Sequence, residues 1–239
     1  MREIRLAGLR TRLSGGTDGH GSGDGPAVIL LHGYGAPGDD LVVLGDVLKG
    51  PAATRWIFPE GPLRLSMGYG DASAWWLIDM ARLEADRAAG RVRDLSGEVP
   101  RGLPQAREAL ETFLTLLSGT LAVDYQRTVI GGFSQGAMLT CDLVMRTAFP
   151  FAGLIQLSGS LLAKQDWRPS KGKRAGLPVF QSHGTLDPIL PYAMAERLRD
   201  ELMAAGLTVE WHSFRGGHEI PEPILSRLDR FITKVLTKS

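Results

Sequence analysis

Residues 127–140 read RTVIGGFSQGAMLT. An apolar run, Thr128-Val129-Ile130, leads through two glycines into Phe133-Ser134-Gln135-Gly136. A short continuous apolar run suits a strand covered on both faces, and the residues from Gln135 to about Arg146 suit a helix. Gly132 to Gly136 therefore matches G-x-S-x-G, set between a strand and a helix. The letters alone are common in a chain with 30 glycines. The setting supplies the mechanism. A serine lifted into a sharp strand-to-helix turn has a strained backbone, and side chains at the flanking positions would crowd it, so Gly132 and Gly136 relieve the turn. The helix that follows directs its N-terminal N–H groups and positive dipole end at the serine.

The same alternation extends outward. "AVILL" (27–31), "TRWIFPEGP" (54–62), "FAGLIQLSG" (151–159), "LPVFQSHG" (177–184) and "LTVEWHSF" (207–214) read as further strands. "LPQAREALETFLTLLSG" (103–119) places Ala106, Leu110, Phe113, Leu114 and Leu117 at helical spacing, with a proline near its start. Helices are also expected at 191–205 and 221–237. Strands alternating with helices of this length predict an α/β fold: a mostly parallel central sheet, helices on both faces, and a single domain over residues 1–239. "SGGTDGHGSGDGP" (14–26) reads as a flexible Gly-rich loop after an N-terminal strand. It lacks the Gly-Lys-Ser/Thr ending of a phosphate-binding loop. Residues 59–80 form a long insertion and a candidate cover for a pocket. Ligands of such sheets bind where loops leave the carboxyl ends of the strands.

Composition narrows the class. The chain of 239 residues is 44% hydrophobic and 22% charged, as in ordinary globular proteins. A net charge of +1 gives no electrostatic reason to expect nucleic acid or an anionic membrane as partner. Cys141 is the one cysteine, so no internal disulfide can form. The first residues carry arginines and no apolar signal-like core, and no apolar run is long enough to span a bilayer. The expectation is a cytoplasmic protein. Neither H-E-x-x-H nor a Cys/His cluster occurs, so no metal and no cofactor are expected.

A serine hydroxyl is a weak nucleophile without a base, and the base needs an orienting acid. "SHGTLDPILP" (182–191) supplies Asp187 after one predicted strand, and "FRGGHEIP" (214–221) supplies His218 after another. Ser134, Asp187 and His218 follow one another in the chain order of a known hydrolase triad. Acyl transfer also needs donors for the oxyanion. The backbone N–H of Gln135, next to the serine, and that of Tyr34 in "LLHGYGAPGDD" (30–40) occupy the expected positions.

Together "LLHGYGAPGDDL", "GGFSQGAM", "HGTLDPILP" and "GGHEIP", with "FPEGP" and "ASAWWLIDM", resemble the phospholipase/carboxylesterase family of α/β-hydrolases, which includes the acyl-protein thioesterases. The likeness covers roughly residues 27 to 237. It implies the α/β-hydrolase fold, Ser134 as nucleophile, Asp187 as acid, His218 as base, and the Tyr34 and Gln135 amides as oxyanion donors. The implied reaction is hydrolysis of carboxylic esters or thioesters through an acyl-enzyme. Two departures bear on substrate. Ala137 stands where eukaryotic acyl-protein thioesterases tend to have a second glycine, and the "HGYGAPGDD" loop resembles bacterial esterases more closely. Both weaken the case for a lipidated protein as substrate, so a small-ester carboxylesterase is expected, with an acyl-protein thioesterase or lysophospholipase as the alternative.

Other residues have competing readings. Trp75, Trp76, Met67, Met138 and Ile189 are candidates for the substrate pocket; for the tryptophans, a buried aromatic pair in the core is the alternative. Ser158 and Ser160 follow a strand without an elbow and are assigned to a cleft wall or turn. His32 and His183 precede glycines at strand ends and are expected to hold loops by hydrogen bonds. His212 is expected at the surface or half-buried, and His20 in the Gly-rich loop. Asp166 is an alternative acid. Cys141 is expected to be a small buried hydrophobe, and "KGKRAG" (171–176) a solvated basic loop. Oligomeric state is not set by the sequence, and a homodimer is compatible with it. The rival from another class is a non-catalytic hydrolase-fold module that binds a ligand or a protein.

Overall fold

The computed structural model describes residues 1–66, 71–89, 94–170 and 174–237. In chain order its strands and helices are β1 (Arg2–Leu6), β2 (Leu9–Gly16), β3 (His20–Ser22), β4 (Ala27–Leu31), α1 (Leu44–Val47), β5 (Arg55–Pro59), β6 (Leu63–Leu65) and β7 (Ala72–Ala74). They continue with α2 (Met80–Ala88), α3 (Leu103–Leu121), β8 (Thr128–Phe133), α4 (Gln135–Arg146), β9 (Gly153–Leu157), β10 (Pro178–Gly184), α5 (Tyr192–Ala204), β11 (Thr208–Phe214) and α6 (Glu222–Leu236). One sheet runs β1-β2-β5-β4-β8-β9-β10-β11, with β3 beside β2. From β5 to β11 every neighbouring pair is parallel. Only β1–β2 and β2–β5 in that run are antiparallel.

Side-chain alternation explains why the central strands are apolar throughout. Val28 and Leu30 of β4, with Trp56 and Phe58 of β5, face a cluster completed by Leu44 of α1 and by Ile224, Leu228 and Phe231 of α6. Ile29 and Leu31, with Ile57, face the opposite cluster, which contains Leu110, Phe113 and Leu114 of α3 and Leu139 of α4. A strand covered on both sides has no solvent face on which to place polar residues. In α3 the five residues picked out by helical spacing are all buried. Helix α4 is buried from Gln135 through Met145, including Asp142. The Asp142 carboxylate is tolerated there because Arg107 of α3 pairs with it at 2.7 Å.

Three expectations need correction. The N-terminal segment is a two-stranded hairpin rather than one strand. The stretch 14–26 is not all loop: Gly15 and Gly16 end β2, and His20–Ser22 pairs with it. Gly15 and Gly16 answer to close packing, since a Cβ on Gly15 would sit 2.2 Å from the Thr54 carbonyl oxygen, and one on Gly16 2.3 Å from that of Ser22. Within 171–176, Arg174 is not merely solvated. Its guanidinium donates to the carbonyls of Val144, Thr147 and Phe149, gathering the C-terminal end of α4; residues 171–173 lie outside the described residues.

The elbow is also a packing joint. A Cβ on Gly136 would lie 2.1 Å from the Leu31 carbonyl oxygen and 2.7 Å from that of His32, while β4 is locked to β8 by the pairing of Leu31 with Gly132. Backbone cannot yield there as a flexible side chain would. Gly136→Ala is expected to cost about 3 kcal/mol or more, the upper end for overpacking. Gly97→Ala, with open space around the new methyl group, should stay within about 0.5 kcal/mol of wild type. Urea midpoints of the two variants check this.

Candidate active site

Ser134 is the residue between β8 and α4, and its backbone takes φ 54° and ψ −115°. A non-glycine residue there stores about 1–3 kcal/mol of strain, which the surroundings must hold. They do so from both sides. The Ser134 N–H donates to the Leu157 carbonyl at 2.9 Å, and its carbonyl accepts the Met138 N–H at 3.1 Å. Because β4 neighbours β8, the loop after β4 crosses the elbow: a Cβ on Gly33 would sit 3.3 Å from the Ser134 Cβ. Gln135 opens α4, so its N–H is one of the donors a helix end leaves free. The Tyr34 N–H makes no hydrogen bond among the described residues. Both expected oxyanion donors therefore stand at the same edge of the sheet, on the elements flanking Ser134.

Asp187 and His218 come from the neighbouring strands β10 and β11, which pair parallel up to Gly184 opposite Phe214. Past the strands their loops stay joined: the Thr185 N–H donates to the Phe214 carbonyl at 2.8 Å, and the Leu186 N–H to that of Gly216 at 2.9 Å. Asp187 Oδ1 accepts the N–H groups of Ile189 at 2.8 Å and Leu190 at 2.9 Å. Oδ2 faces His218 Nδ1 at 2.6 Å. Since the carboxylate can only accept, Nδ1 carries a proton, and in the neutral ring the lone pair is then on Nε2. Burial pushes the Asp187 carboxyl up. The hydrogen bond and charge of His218 and the Leu190 and Ile189 N–H groups outweigh it, so the group sits below the ordinary carboxylate range. The His218 ring packs 4.7 Å, centroid to centroid, from that of Phe133, the residue before the serine.

The two remaining strand-end histidines hold loops. His183 donates from Nε2 to the Leu190 carbonyl at 2.9 Å, with Asp187 Oδ2 at 3.3 Å from the same nitrogen. His32 is buried beneath the loop after β4 and is bonded through both ring nitrogens. Burial lowers the pKa of both.

The other candidates separate clearly. Asp166 pairs with Arg146 at 2.5 Å. Arg146 closes α4, twelve residues from Ser134 and about 18 Å along the helix, so this acid does not belong with His218. Ser158 and Ser160 are buried, and Ser158 has a positive φ of its own, 48°. Cys141 is a buried hydrophobe whose thiol pKa burial raises. His212 is half-buried between Glu210 and Arg227, and His20 lies in β3. Of the five pocket candidates, Trp75, Trp76 and Met138 are in the core rather than on an open wall, Ile189 is 45% exposed, and Met67 lies outside the described residues.

Trp75 and Gln135 do work that no motif announces. The Trp75 indole N–H donates to the His32 carbonyl at 3.1 Å, and its backbone N–H to Gln135 Oε1 at 2.9 Å. Gln135 Nε2 in turn donates to the Trp76 carbonyl at 2.8 Å. Glu60 is similarly silent in sequence. Buried just past β5, it accepts from Arg12 at 3.0 Å, Arg64 at 2.6 Å and the Ser73 hydroxyl at 2.9 Å. Ser73 then exchanges backbone bonds with Gly35 (2.9 Å) and Ala36 (3.0 Å), fixing the outer half of the loop after β4.

Residues 21–236 match the model of a family described as Phospholipase/Carboxylesterase. The acyl-protein thioesterase 1 of Candida albicans is 25% identical over 232 residues, covering 92% of this chain and 96% of that protein. That of Eremothecium gossypii is 29% identical over 177 residues, 71% of this chain and 69% of the other. Among solved structures, esterase PE8 superposes with a TM-score of 0.75 at 27% identity, covering 94% of this chain and all of its own. The Bacillus cereus carboxylesterase shares the fold, with a TM-score of 0.69 at 19% identity over 95% of this chain and 94% of its own. The fold is that of the α/β-hydrolases. The chain belongs to the phospholipase/carboxylesterase family and is a carboxylic ester hydrolase.

The buried histidines make stability sensitive to acid. Unfolded, His32 and His183 titrate at about pH 6.5, whereas folded they hold protons only at lower pH. The unfolded chain therefore binds more protons as pH falls below that value, and stability is lost as pH drops through the folded pKa values. Unfolding free energies measured by urea at about pH 7.5, 6 and 5 should decline in that order. The decline should be shallower in His183→Gln.

Proposed function

We propose that this hydrolase is a serine carboxylesterase whose triad is Ser134, His218 and Asp187. His218 Nε2 takes the Ser134 proton as Oγ attacks the ester carbonyl. The carbonyl oxygen becomes an oxyanion, bound by the Tyr34 and Gln135 N–H groups. The imidazolium, held and stabilised by Asp187, gives its proton to the leaving alcohol, and an acyl-enzyme remains. Water then repeats the sequence and releases the acid. The observation that carries this reading is the Asp187–His218 hydrogen bond of 2.6 Å, delivered from two loops to the side of the elbow where Phe133 packs on the histidine ring.

A small-molecule ester is the proposed substrate. A thioester-cleaving reading has its own support, because the curated relatives described above carry acyl-protein thioesterase names. Leu186 and Ile189, on either side of Asp187, are 63% and 45% exposed, leaving apolar surface at the mouth of the site. A series of aryl esters separates the two: highest kcat/KM with acetyl or butyryl supports the small-ester reading, and highest with long acyl chains supports the other.

The decisive comparison is 4-nitrophenyl butyrate turnover by wild type and Ser134→Ala, both shown to be folded. The variant should lose at least about 10³-fold in kcat, as removal of a triad nucleophile does. Absence of turnover across the ester series, together with no labelling of wild type by a fluorophosphonate, would replace this reading with that of a ligand-binding module.

A further inference from the structure

The Gly33–Tyr34 peptide must present its N–H, not its carbonyl, to the oxyanion. The backbone itself secures this only weakly. Gly33 has no Cβ to restrict it, and the two ends of the peptide are interchanged by a flip of the plane. Since the peptide is planar and trans, its C=O and N–H point in opposite directions, so holding one end sets the other. The carbonyl end is held: His32 Nδ1 lies 2.8 Å from the Gly33 carbonyl oxygen. The second donor on that oxygen, the Ala36 N–H, is more distant at 3.4 Å.

The tautomer follows from the other ring nitrogen. His32 Nε2 lies 2.9 Å from the Gly61 N–H, which can only donate, so Nε2 is the unprotonated nitrogen. Nδ1 therefore carries the proton and donates to Gly33. The ring has no freedom to do otherwise, being 2% exposed, 5.5 Å from the Trp75 ring, and attached to a backbone whose own carbonyl accepts the Trp75 indole N–H. Gly61 in turn lies directly against the Ala74 backbone, which a Cβ there would meet at 2.6 Å. The chain of constraint thus runs from Gly61 through the imidazole to the Gly33 carbonyl and, across one peptide plane, to the Tyr34 N–H beside Ser134.

We propose that His32 is a positioning residue for catalysis: as a neutral Nδ1–H tautomer it fixes the Gly33–Tyr34 peptide so that the Tyr34 N–H faces the developing oxyanion. This rests on the reading of Ser134 as nucleophile and of Tyr34 as an oxyanion donor. His32 touches neither substrate nor reacting atoms.

The test compares Ala, Asn and Gln at position 32 with wild type and Ser134→Ala on 4-nitrophenyl butyrate, with folding checked by circular dichroism and urea midpoint. His32→Ala should lower kcat by roughly 10- to 100-fold, short of the 10²- to 10³-fold typical of deleting a donor outright, with KM within about twofold. His32→Asn retains an N–H donor near the Nδ1 position and should recover most of the loss. His32→Gln can accept from Gly61 but has no donor at that position, and should not. Unchanged kcat in His32→Ala, or rescue by Gln and not Asn, overturns the proposal and leaves His32 a structural histidine. Retained turnover in Ser134→Ala removes the reading beneath it, a different failure. A measurement on the wild type covers variants that do not fold: ¹⁵N NMR of the His32 ring should show a protonated Nδ1 and a bare Nε2. The opposite tautomer overturns the proposal.

Discussion

The contact on which this site depends is the meeting of two backbones with no side chain between them. The carbonyls of Leu31 and His32, at the end of β4, come so close to Gly132 and Gly136 that even a methyl group on either glycine would overlap the Leu31 oxygen. This approach sets the position of the strained Ser134, brings the Gly33–Tyr34 peptide against it, and seats the first turn of α4 beneath both. Strain of this kind persists only where the surroundings over-determine it. Here the surroundings are two parallel strands in register and a helix buried along nearly its whole length.

Adjacent strand pairs then divide the chemistry. β4 and β8 bring the proposed nucleophile and both candidate oxyanion donors, while β10 and β11 bring the proposed acid and base. β9 lies between them and joins the halves: its end accepts the Ser134 N–H through Leu157, and the next residue, Ser158, donates its N–H to Ser182 of β10. A site built across strand ends inherits the rigidity of the sheet, which helps keep donors fixed where charge will develop.

Around the candidate site is a layer of buried polar side chains with specific partners. Glu60 gathers Arg12, Arg64 and Ser73; Gln135 clasps the Trp75–Trp76 backbone; His183 and two backbone N–H groups steady the loop and carboxylate of Asp187. In a low-dielectric interior such groups are costly unless satisfied. The layer was hard to see in sequence because its partners are remote. Glu60 meets Arg12 across 48 positions and Gln135 meets Trp75 across 60, and no local spacing encodes either pair. Trp75 and Trp76 show the same limit: their letters suit a pocket or a core equally, and only packing places them in the core.

What the sequence determined alone is what local physics governs. The continuous apolar runs marked strands buried on both faces, the spacing of Ala106 through Leu117 marked α3, and the glycines around Ser134 marked a turn that no larger residue could make. The order Ser134, Asp187, His218 could be read because each follows a strand, and parallel strands deliver their following loops to one edge. The tertiary structure decided whatever depends on two distant segments meeting: that 14–16 completes a strand, that Arg174 gathers the end of α4, that Asp166 belongs to Arg146, and that His32 bridges Gly61 and Gly33. Hydrogen bonds and steric exclusion act over a few ångströms of space, and chain separation does not specify which residues come within that range.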